Sequence, residues 1–315
     1  MRISVLVPSY QRPDFLARCL ASLAQQRRPA DEIFVVVRPT DHGTQAMVET
    51  QRALFPAGQL HQIEVTEPGI VAAENRGLAA ATGDIVALID DDAEAPEDWL
   101  ERIAAHYADP KVAAAGGPCV PVVDGVPRFQ PTQAPCLEKT WYGSHIGNDE
   151  TIPEGLRHVH FLRGCNLTFR RALVPSFDVR LKPYWRRFED DALFPLHLRG
   201  LTIVYDPQAY VLHHSAPVRE GQRHLDPVSI HGSHHNDVYV FLKHAPPWRC
   251  VAYLLFTFLV GDRHNHGLAG YLAKAVVKQC PRRAAQECWH ALRGKVDGIR
   301  TWWQWRAEAA NAKNT

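Results

Sequence analysis

Three consecutive aspartates, Asp90, Asp91 and Asp92, directly follow an apolar run that predicts a buried strand. Like charges this close repel one another away from bulk water, and a divalent cation is the simplest way to neutralise them. In extended geometry Asp90 and Asp92 point to the same side, so one Mg²⁺ or Mn²⁺ ion could bind both carboxylates. A solvated acidic loop, or the first turn of a helix, explains the same residues without a metal.

A second acidic cluster, Glu189, Asp190 and Asp191, stands at the start of a predicted helix. A carboxylate held there is a candidate general base, although a helix N-terminus also favours negative charge for electrostatic reasons alone. His213 and His214 end a predicted strand, where an imidazole could complete a metal site or hold a phosphate. A histidine in such a place more often has a structural role, so the residues alone assign neither.

The elements that must position these residues alternate regularly over residues 1–120, which predicts a parallel sheet covered by helices on both faces. Predicted strands are 2–7, 33–37, 60–66, 84–89 and 112–115, and predicted helices are 14–26, 44–55, 70–81 and 96–107. Further strands are predicted near 159–162, 166–170, 202–205 and 210–213, with a helix over 189–198. The three aspartates therefore fall beyond the carboxyl end of a strand, where open α/β sheets bind ligands. Residues 116–160 give no regular prediction.

Composition excludes several classes of protein. The chain has 315 residues, 46% of them hydrophobic, which is enough for a sizeable core. Its formal net charge of +1 argues against binding nucleic acid through bulk electrostatics. Neither GxGxxG nor GxxxxGK(S/T) occurs, so neither a dinucleotide dehydrogenase nor a P-loop enzyme is expected.

Cysteine spacing and apolar run lengths predict where the protein works. Seven cysteines without a CxxC spacing predict reduced, mostly buried thiols, and neither a disulfide framework nor a cysteine-rich zinc site. A strand begins near the N-terminus before any signal-peptide region develops, so we expect no export signal and a cytoplasmic protein. The longest apolar run, residues 251–261, is shorter than the roughly 20 residues that a membrane-spanning helix needs.

The chain is helical in character from about residue 231. Residues 271–306 contain eight Lys or Arg against Glu287 and Asp297, together with four tryptophans. Basic residues interleaved with tryptophan are typical of a helix lying on an anionic membrane, which would bring the protein to a lipid-linked partner. Helices packed on the rest of the chain or on a second subunit explain the same composition, and a nucleic-acid patch is not expected.

Six segments occur in the order and context of one family, and through them the chain resembles the family 2 glycosyltransferases of GT-A fold. The segments are Val7–Arg12, Gly69–Gly77, Ala81–Asp92, Arg163–Arg171, Phe188–Leu193 and Ala209–Ser215. They are similar, in turn, to the family's opening strand and loop, its glycine- and asparagine-containing helix, the strand ending in its DxD motif, its pocket-lining GN segment, its ED motif and its late strand ending in histidine. The resemblance covers residues 2–215.

The resemblance implies an α/β fold with a mostly parallel central sheet and a helical C-terminal extension. Residues 1–230 would be the catalytic domain, with a nucleotide-sugar half over 1–120 and an acceptor half over 121–230. Residues 231–315 would be the basic, tryptophan-rich extension. The implied activity is metal-dependent transfer of a sugar, with inversion, from a nucleotide diphosphate to a hydroxyl of a glycan or lipid-linked acceptor in the synthesis of surface polysaccharide, lipopolysaccharide or glycolipid.

The resemblance also implies roles for individual residues. Asp90, Asp92 and His213 would bind Mn²⁺ or Mg²⁺, with His214 as the alternate ligand. Asp190 would be the general base beside Glu189 and Asp191, with Asp191 as the second candidate. The donor would contact Pro8, Ser9, Tyr10, Arg12, Asp41, Asn75, Arg76, Asp90, Asp91, Gly164 and Asn166, and the diphosphate would contact Arg170, Arg171 or Arg186.

One departure from the family leaves the nucleotide open. The family's second strand is usually followed by DDGS, whereas here Val37 is followed by Arg38, Pro39, Thr40 and Asp41, and only Asp41 could take the aspartate's part. UDP-, dTDP- and GDP-linked sugars therefore all stay candidates.

Two other functions stay open besides transfer of a sugar. They are a catalytically inactive sugar-nucleotide or glycan-binding protein and a nucleotidyltransferase, although a nucleotidyltransferase would need a Gly- and Lys-rich loop that residues 9–12 lack. We also expect the protein to self-associate and to contact the cytoplasmic face of the membrane peripherally through residues 271–306.

Overall fold

The computed structural model describes residues 1–147, 149–182, 188–215, 226–262, 265–277 and 280–312. They form two compact units. The first unit contains Met1–Glu138, Gly147–Phe177 and Ala192–Pro217, and the second contains Lys139–Ile146, Asp178–Asp191 and Val218–Thr315. The second unit thus takes in two segments that the sequence assigns to the acceptor half as well as the C-terminal helices.

The secondary structure follows the predicted alternation over the first 120 residues. The elements are β1 (Ile3–Pro8), α1 (Pro13–Ala24), β2 (Glu32–Val37), α2 (His42–Gln51), β3 (Leu60–Glu64), α3 (Ile70–Ala80), β4 (Ile85–Leu88), β5 (Ala93–Glu94), α4 (Trp99–His106), β6 (Val112–Gly116) and β7 (Cys119–Val123). Next come β8 (Val126–Pro127), β9 (Gln130–Thr132), β10 (Glu138–Lys139), β11 (His145–Ile146), β12 (Thr151–Pro153), β13 (Arg157–His158), β14 (Leu167–Arg170), α5 (Phe188–Leu198), β15 (Thr202–Tyr205) and β16 (Val211–His213). The chain continues with α6 (Pro227–His244), α7 (Pro247–Leu259), α8 (Leu268–Val277) and α9 (Pro281–Ala312).

The first unit is built on an eight-stranded sheet of order β13-β15-β6-β14-β4-β1-β2-β3. Strand β1 pairs in parallel with β2 and β4, and β3 extends the parallel set beyond β2. Strand β14 runs antiparallel between β4 and β6. Strands β2 and β4 are buried along their whole length, as expected for continuous apolar runs in a sheet covered on both faces. The predicted α/β class with a mostly parallel sheet is confirmed.

The region after β6 contains more regular structure than the sequence predicts. Strands β5, β16, β7 and β8 form a separate four-stranded sheet, and short strands recur through residues 116–160. The strand predicted near 159–162 is wrong, because the strand there is β13, which ends at His158 and pairs with β15. Short strands bounded by proline and glycine lack the alternation from which a strand can be predicted.

The prediction that all cysteines are reduced is also wrong. Cys119 in β7 and Cys165, just before β14, form a disulfide. Of the free cysteines, Cys19 and Cys136 are buried, whereas Cys280 is exposed. The pair is separated by 46 residues and becomes adjacent only when the chain folds, so spacing gave no sign of it.

Helices α6 to α9 form most of the second unit, which confirms the predicted helical C-terminal extension. Two glycines allow α9 to approach α6 closely: a Cβ on Gly294 would lie 2.3 Å from the carbonyl oxygen of His231, and one on Gly298 would lie 2.6 Å from that of His235. The imidazole of His235 lies 2.8 Å from the Thr301 hydroxyl across the same contact. Among the described residues, no helix has the length and hydropathy needed to cross a membrane.

Candidate active site

The three aspartates lie beyond the carboxyl end of β4, as predicted. The Ile89 amide donates to the Leu6 carbonyl (3.2 Å), which keeps the chain beside β1 up to the first aspartate. A turn then follows, in which the Ala93 amide donates to the Asp90 carbonyl at 3.1 Å. Ligand atoms of Asp90, Asp92 and His213 all lie within 4.8 Å of one another. The structure therefore brings together the three predicted metal ligands.

Strand pairing decides which of the two histidines joins this group. His213 in β16 lies opposite Ala93 of β5, and its Nε2 is 3.2 Å from Asp92 Oδ1. Successive side chains of an extended chain point to opposite sides. His214 accordingly turns away, and its Nε2 lies 2.9 Å from Glu94 Oε2. The alternate ligand, His214, therefore lies outside the group.

Asp91 points to the loop that follows β1. The Ser9 hydroxyl donates to Asp91 Oδ2 (2.7 Å), and Arg12 Nη1 lies 3.2 Å from Asp91 Oδ1 and 3.4 Å from Asp92 Oδ2. Burial raises the pKa of Asp91 to about 6, against the opposing effects of Ser9 and Arg12. Two of the predicted donor residues, Ser9 and Arg12, thus form one hydrogen-bonded unit with Asp91 and Asp92. We call Arg12, Asp90, Asp91, Asp92 and His213 the aspartate cluster.

The aspartate cluster also changes the titration of its histidine. Burial lowers the pKa of His213, but the hydrogen bond and charge of Asp92, with the charge of Asp90, outweigh burial and raise it above the usual value. Two carboxylates and one imidazole supply oxygen and nitrogen donors that suit a divalent cation. A cation would displace the proton of His213, since metal-ligating histidines are neutral.

Two of the predicted donor-binding residues are exposed at the surface of the first unit. Tyr10 is 46% exposed and Arg76 is exposed, with its Nε 3.2 Å from the Glu64 carbonyl oxygen. Pro8 ends β1 opposite Val36. Gly164 is buried in the turn before β14.

The carboxylate of Asp41 is occupied by hydrogen bonds from the start of α2 and from the loop after β1. Its carboxylate accepts from the Thr44 amide at 3.2 Å, which caps α2, and from the Thr44 hydroxyl at 2.7 Å. It also accepts a hydrogen bond from the Gln11 amide, in the loop after β1. Asp41 therefore fixes the shape of the loop that carries Ser9 and Arg12.

The two predicted donor-binding asparagines are held by backbone groups. Asn75 Nδ2 donates to the Phe177 carbonyl (2.9 Å), while its Oδ1 accepts from the Phe177 amide (2.7 Å). Asn166 accepts from Trp99 Nε1 at 2.9 Å and donates to the Ala209 carbonyl at 2.8 Å. These contacts join distant segments of the first unit.

The hypothesis that Arg170 or Arg171 binds diphosphate is wrong, because both lie at the opposite end of β4 from the aspartates. Arg170 pairs with Ile85 at the start of β4, and its guanidinium donates to the carbonyl of Val112 at 2.8 Å. Arg171 Nε donates to the Gly83 carbonyl at 2.7 Å. The third candidate, Arg186, lies outside the described residues.

The predicted base Asp190 is fully buried in the second unit. Both Lys139 Nζ and His145 Nε2 lie 3.0 Å from its Oδ2. On the other side of the imidazole, His145 Nδ1 lies 3.6 Å from Asp262 Oδ2 and 3.9 Å from Asp237 Oδ1. We call Lys139, His145, Asp190, Asp237 and Asp262 the Asp190 cluster. His145 thus connects the predicted base to two carboxylates of the C-terminal helical region.

The neighbours of Asp190 are buried as well. Glu189 is 3% exposed. Asp191 accepts from Lys243 Nζ (2.9 Å) and lies 2.7 Å from His244 Nε2. Lys243 Nζ also donates to Asp178 at 2.7 Å. Burial raises the pKa of Asp178, but the hydrogen bonds from Lys243 and Tyr239 outweigh burial and hold this pKa below its usual range. Asp191 therefore ties α5 to α6.

Sequence reasoning missed four members of the Asp190 cluster. Lys139 and His145 lie in the stretch without a regular prediction, and Asp262 follows α7 in a loop. Asp237 alone leaves a sequence signal, because it stands directly before the apolar run Val238–Leu242 on a helix. A carboxylate in such a helix face must be paired when buried, and here the Tyr253 hydroxyl donates to it at 2.9 Å.

The fold defines the class of protein. A mannosyltransferase from Pyrobaculum calidifontis, solved with GDP-Man and Mn²⁺, is similar with a TM-score of 0.57 at 18% identity, over 93% of this chain and 86% of that chain. S. aureus TarS 1-349 in complex with UDP-GlcNAc is similar with a TM-score of 0.57 at 16% identity, over 98% of this chain and 92% of that chain. The fold is that of the GT-A glycosyltransferases.

Sequence comparison gives the family. The model of glycosyl transferase family 2 matches residues 4–176, more than half of the chain, so the chain belongs to this family and is a glycosyltransferase. It is 27% identical to the glucosyl-dolichyl phosphate glucuronosyltransferase of Haloferax volcanii over 230 residues, or 68% of this chain and 69% of that protein. It is also 27% identical to the succinoglycan biosynthesis protein ExoM of Rhizobium meliloti over 232 residues, or 71% of this chain and 70% of that protein.

Proposed function

We propose that this glycosyltransferase moves a sugar, with inversion at the anomeric carbon, from a nucleotide-diphosphate donor to a hydroxyl of a glycan or lipid-linked acceptor. The observation that carries the proposal is the aspartate cluster, in which Asp90, Asp92 and His213 converge beyond the end of β4. The relatives named above include an enzyme whose name specifies a lipid-linked substrate and one of polysaccharide synthesis, which supports the same class of product.

The aspartate cluster is proposed as the donor site. Asp90, Asp92 and His213 would hold Mn²⁺ or Mg²⁺, which when bound neutralises charge on the leaving diphosphate as a Lewis acid. Ser9 and Arg12 orient Asp91, so the loop after β1 is fixed before the donor binds. Tyr10, half-exposed on that loop, would contact the nucleotide.

Asp190 is proposed as the general base. A bond forms between the acceptor oxygen and the anomeric carbon while the bond from that carbon to the diphosphate oxygen breaks, and the acceptor proton moves to the Asp190 carboxylate. Lys139 and His145 contact one oxygen of this carboxylate and act as positioning residues. Because Asp190 is fully buried, binding of the acceptor must open a path to it.

The two alternative functions make different demands on the structure. A catalytically inactive binding protein needs no base, yet Asp190 is held by two positioning residues at hydrogen-bond distance. A nucleotidyltransferase would need the Gly- and Lys-rich loop that is missing after β1. Transfer of a sugar accounts for both clusters. We further propose a cytoplasmic protein in peripheral contact with the membrane, with residues 271–306 as part of the contact, and that the protein self-associates.

The first test measures binding of UDP, GDP, dTDP and CDP by calorimetry, each with and without Mn²⁺ or Mg²⁺. We expect metal-dependent binding of one nucleotide by the wild type and its loss in Asp92→Ala. Asp84→Asn is the matched control, because Asp84 stands just before β4, at the other end, and is exposed. Absence of binding under every condition would refute a soluble nucleotide-sugar donor.

A further inference from the structure

Two consecutive helices of the second unit expose an unusual number of large apolar side chains. On α7 these are Trp248, Val251, Leu255 and Leu259, with exposed fractions of 64%, 63%, 60% and 53%. On α8 they are Leu268, Leu272, Val276 and Val277, with exposed fractions of 41%, 67%, 77% and 78%. The four side chains of α7 are three or four residues apart and so lie on one side of the helix, as do Leu268, Leu272 and Val276 of α8. Val277 follows Val276 at the end of α8. We call these eight side chains the apolar face.

Each of the two helices also has side chains that are packed inside the unit. Tyr253 and Thr257 of α7 are buried, as is Tyr271 of α8. The connection between the helices is closed by a hydrogen bond from the Gly267 amide to the Val260 carbonyl (2.9 Å). Both helices are therefore anchored to the unit by buried side chains, and the apolar face consists of the side chains that they leave exposed.

The charged residues of the described parts of α7 and α8 do not interrupt the apolar face. Arg249 Nε donates to the Trp141 carbonyl at 2.7 Å, and Lys274 is paired with Glu287. A group of large apolar side chains exposed on a protein surface usually marks a contact with another molecule. Eight large side chains in two neighbouring helices exceed the scattered single exposures found on ordinary surfaces.

The segment that contains the apolar face is strongly basic. Residues 247–306 contain ten Lys or Arg against three Asp or Glu, whereas the whole chain is balanced. On α9, Arg282, Arg293 and Arg306 are exposed. Trp289 and Trp303 on the same helix are 60% and 58% exposed. Exposed arginine and tryptophan in the same segment as exposed aliphatic side chains match the requirements of a lipid headgroup region.

We propose that α7 and α8 dock on an anionic membrane surface, with the apolar face entering the boundary of the acyl chains and the arginines of α9 contacting headgroups. Charge selects this occupant over a second copy of the chain, because a symmetric pairing would bring two strongly basic segments together. Amphipathic helices of this kind lie in the interface plane and need no membrane-spanning segment.

This assignment extends the contact predicted from the sequence. Five members of the apolar face precede residue 271, so the inserting side chains lie mainly outside the tryptophan-rich segment 271–306. That segment instead supplies the basic flank. Membrane docking stands on its own observations, and it rests on the proposed function only in the consequence that the acceptor is carried on a lipid.

The test is flotation of the full-length protein with vesicles of phosphatidylcholine alone or mixed with phosphatidylglycerol. We expect the wild type to bind the mixed vesicles, with binding weakened by salt. Leu255→Ser with Leu272→Ser should weaken binding roughly tenfold or more, because two inserted leucines are lost. Leu54→Ser with Leu156→Ser is the matched control, since both leucines are exposed in the first unit and it should bind as the wild type does.

A second variant tests the charge component. Arg282→Gln with Arg293→Gln should reduce binding to mixed vesicles several-fold and flatten its dependence on salt. The melting temperature and nucleotide binding of every variant should match the wild type, which separates docking from folding and from the proposed function. Three results would overturn the proposal. The wild type could fail to bind the mixed vesicles, or Leu255→Ser with Leu272→Ser could bind them as the wild type does. The third is a wild-type dimer that dissociates in Leu255→Ser with Leu272→Ser.

Discussion

The aspartate cluster and the Asp190 cluster have the same composition and opposite settings. Each contains three carboxylates, one imidazole and one other cationic side chain. The aspartate cluster lies in the first unit and is partly open, with 27% of the His213 side chain exposed. The Asp190 cluster lies in the second unit, where the side chains of Lys139, His145 and Asp190 are at most 3% exposed.

The difference teaches that access, rather than composition, separates the two roles. An open set of carboxylates can exchange water for an ion or for phosphate oxygens. A closed set must satisfy its charges from the chain itself, because an unpaired buried charge is very costly. We therefore expect substitutions in the aspartate cluster to change ligand binding, and substitutions in the Asp190 cluster to change turnover without changing donor binding.

The largest expected effect separates the clusters directly. Asp92→Asn should lower both metal-dependent nucleotide binding and turnover, while Asp190→Asn should lower turnover roughly a thousandfold and leave nucleotide binding intact. Steady-state transfer and calorimetry on the same preparations measure the two quantities. If Asp190→Asn retains wild-type turnover and Asp191→Asn loses it, the base is Asp191.

The next effect sharpens the assignment of the metal ligand. His213→Ala should weaken binding of Mn²⁺ in the presence of nucleotide roughly a hundredfold, because one of three ligands is lost. His214→Ala is the matched control, since its ring faces Glu94, and it should stay close to the wild-type affinity. Titration of Mn²⁺ followed by electron paramagnetic resonance measures both. Equal losses in the two variants would contradict the strand geometry.

A smaller effect is expected inside the Asp190 cluster. His145→Gln should lower kcat roughly tenfold and shift the acidic limb of the pH profile of kcat, while KM for the donor stays unchanged. Asparagine and glutamine differ in the reach of their side-chain amides. A smaller loss of kcat in one of the two variants, His145→Asn or His145→Gln, would therefore show that the contact with Asp190 matters. A purely structural role would lower the melting temperature and leave the pH profile in place.

The smallest effect tests how the second unit tolerates charge. Burial lowers the pKa of His235 to about 4, against the opposing hydrogen bond with Asn236. Between that pKa and its value of 6.5 in the unfolded chain, the unfolded state binds more protons, so the free energy of unfolding falls as the pH falls. We expect a loss of about 1 kcal/mol between about pH 7 and pH 5.5.

Urea unfolding at several pH values measures this slope. His235→Gln should flatten it, because glutamine keeps a hydrogen-bonding amide and does not titrate in this range. His158→Gln, at an exposed position, should leave the slope as in the wild type. A slope that is unchanged by His235→Gln would place the responsible proton elsewhere.

Local order made the first 120 residues predictable. The buried strands are continuous apolar runs, and the apolar residues of the helices recur at helical spacing. The three aspartates follow β4 within one segment of chain. The sequence predicted the convergence of Asp90 and Asp92 from an extended chain, whereas the structure brings them together in a turn, in which the Ala93 amide donates to the Asp90 carbonyl.

The sequence by itself therefore determined the α/β class, the position of the aspartates at a sheet edge and the helical nature of the C-terminal region, because each depends on neighbours in the chain. Only the tertiary structure decided what depends on contacts between distant segments. The register of β16 placed His213 in the cluster and His214 outside it. The antiparallel direction of β14 carried Arg170 and Arg171 to the far end of β4.

The same limit explains the disulfide and the Asp190 cluster. Cys119 meets Cys165, and Asp190 meets His145 and Asp262, only after folding, since composition gives no distances. Burial is likewise a property of the packed chain, so two clusters of the same composition became one open set of ligands and one closed set of ion pairs.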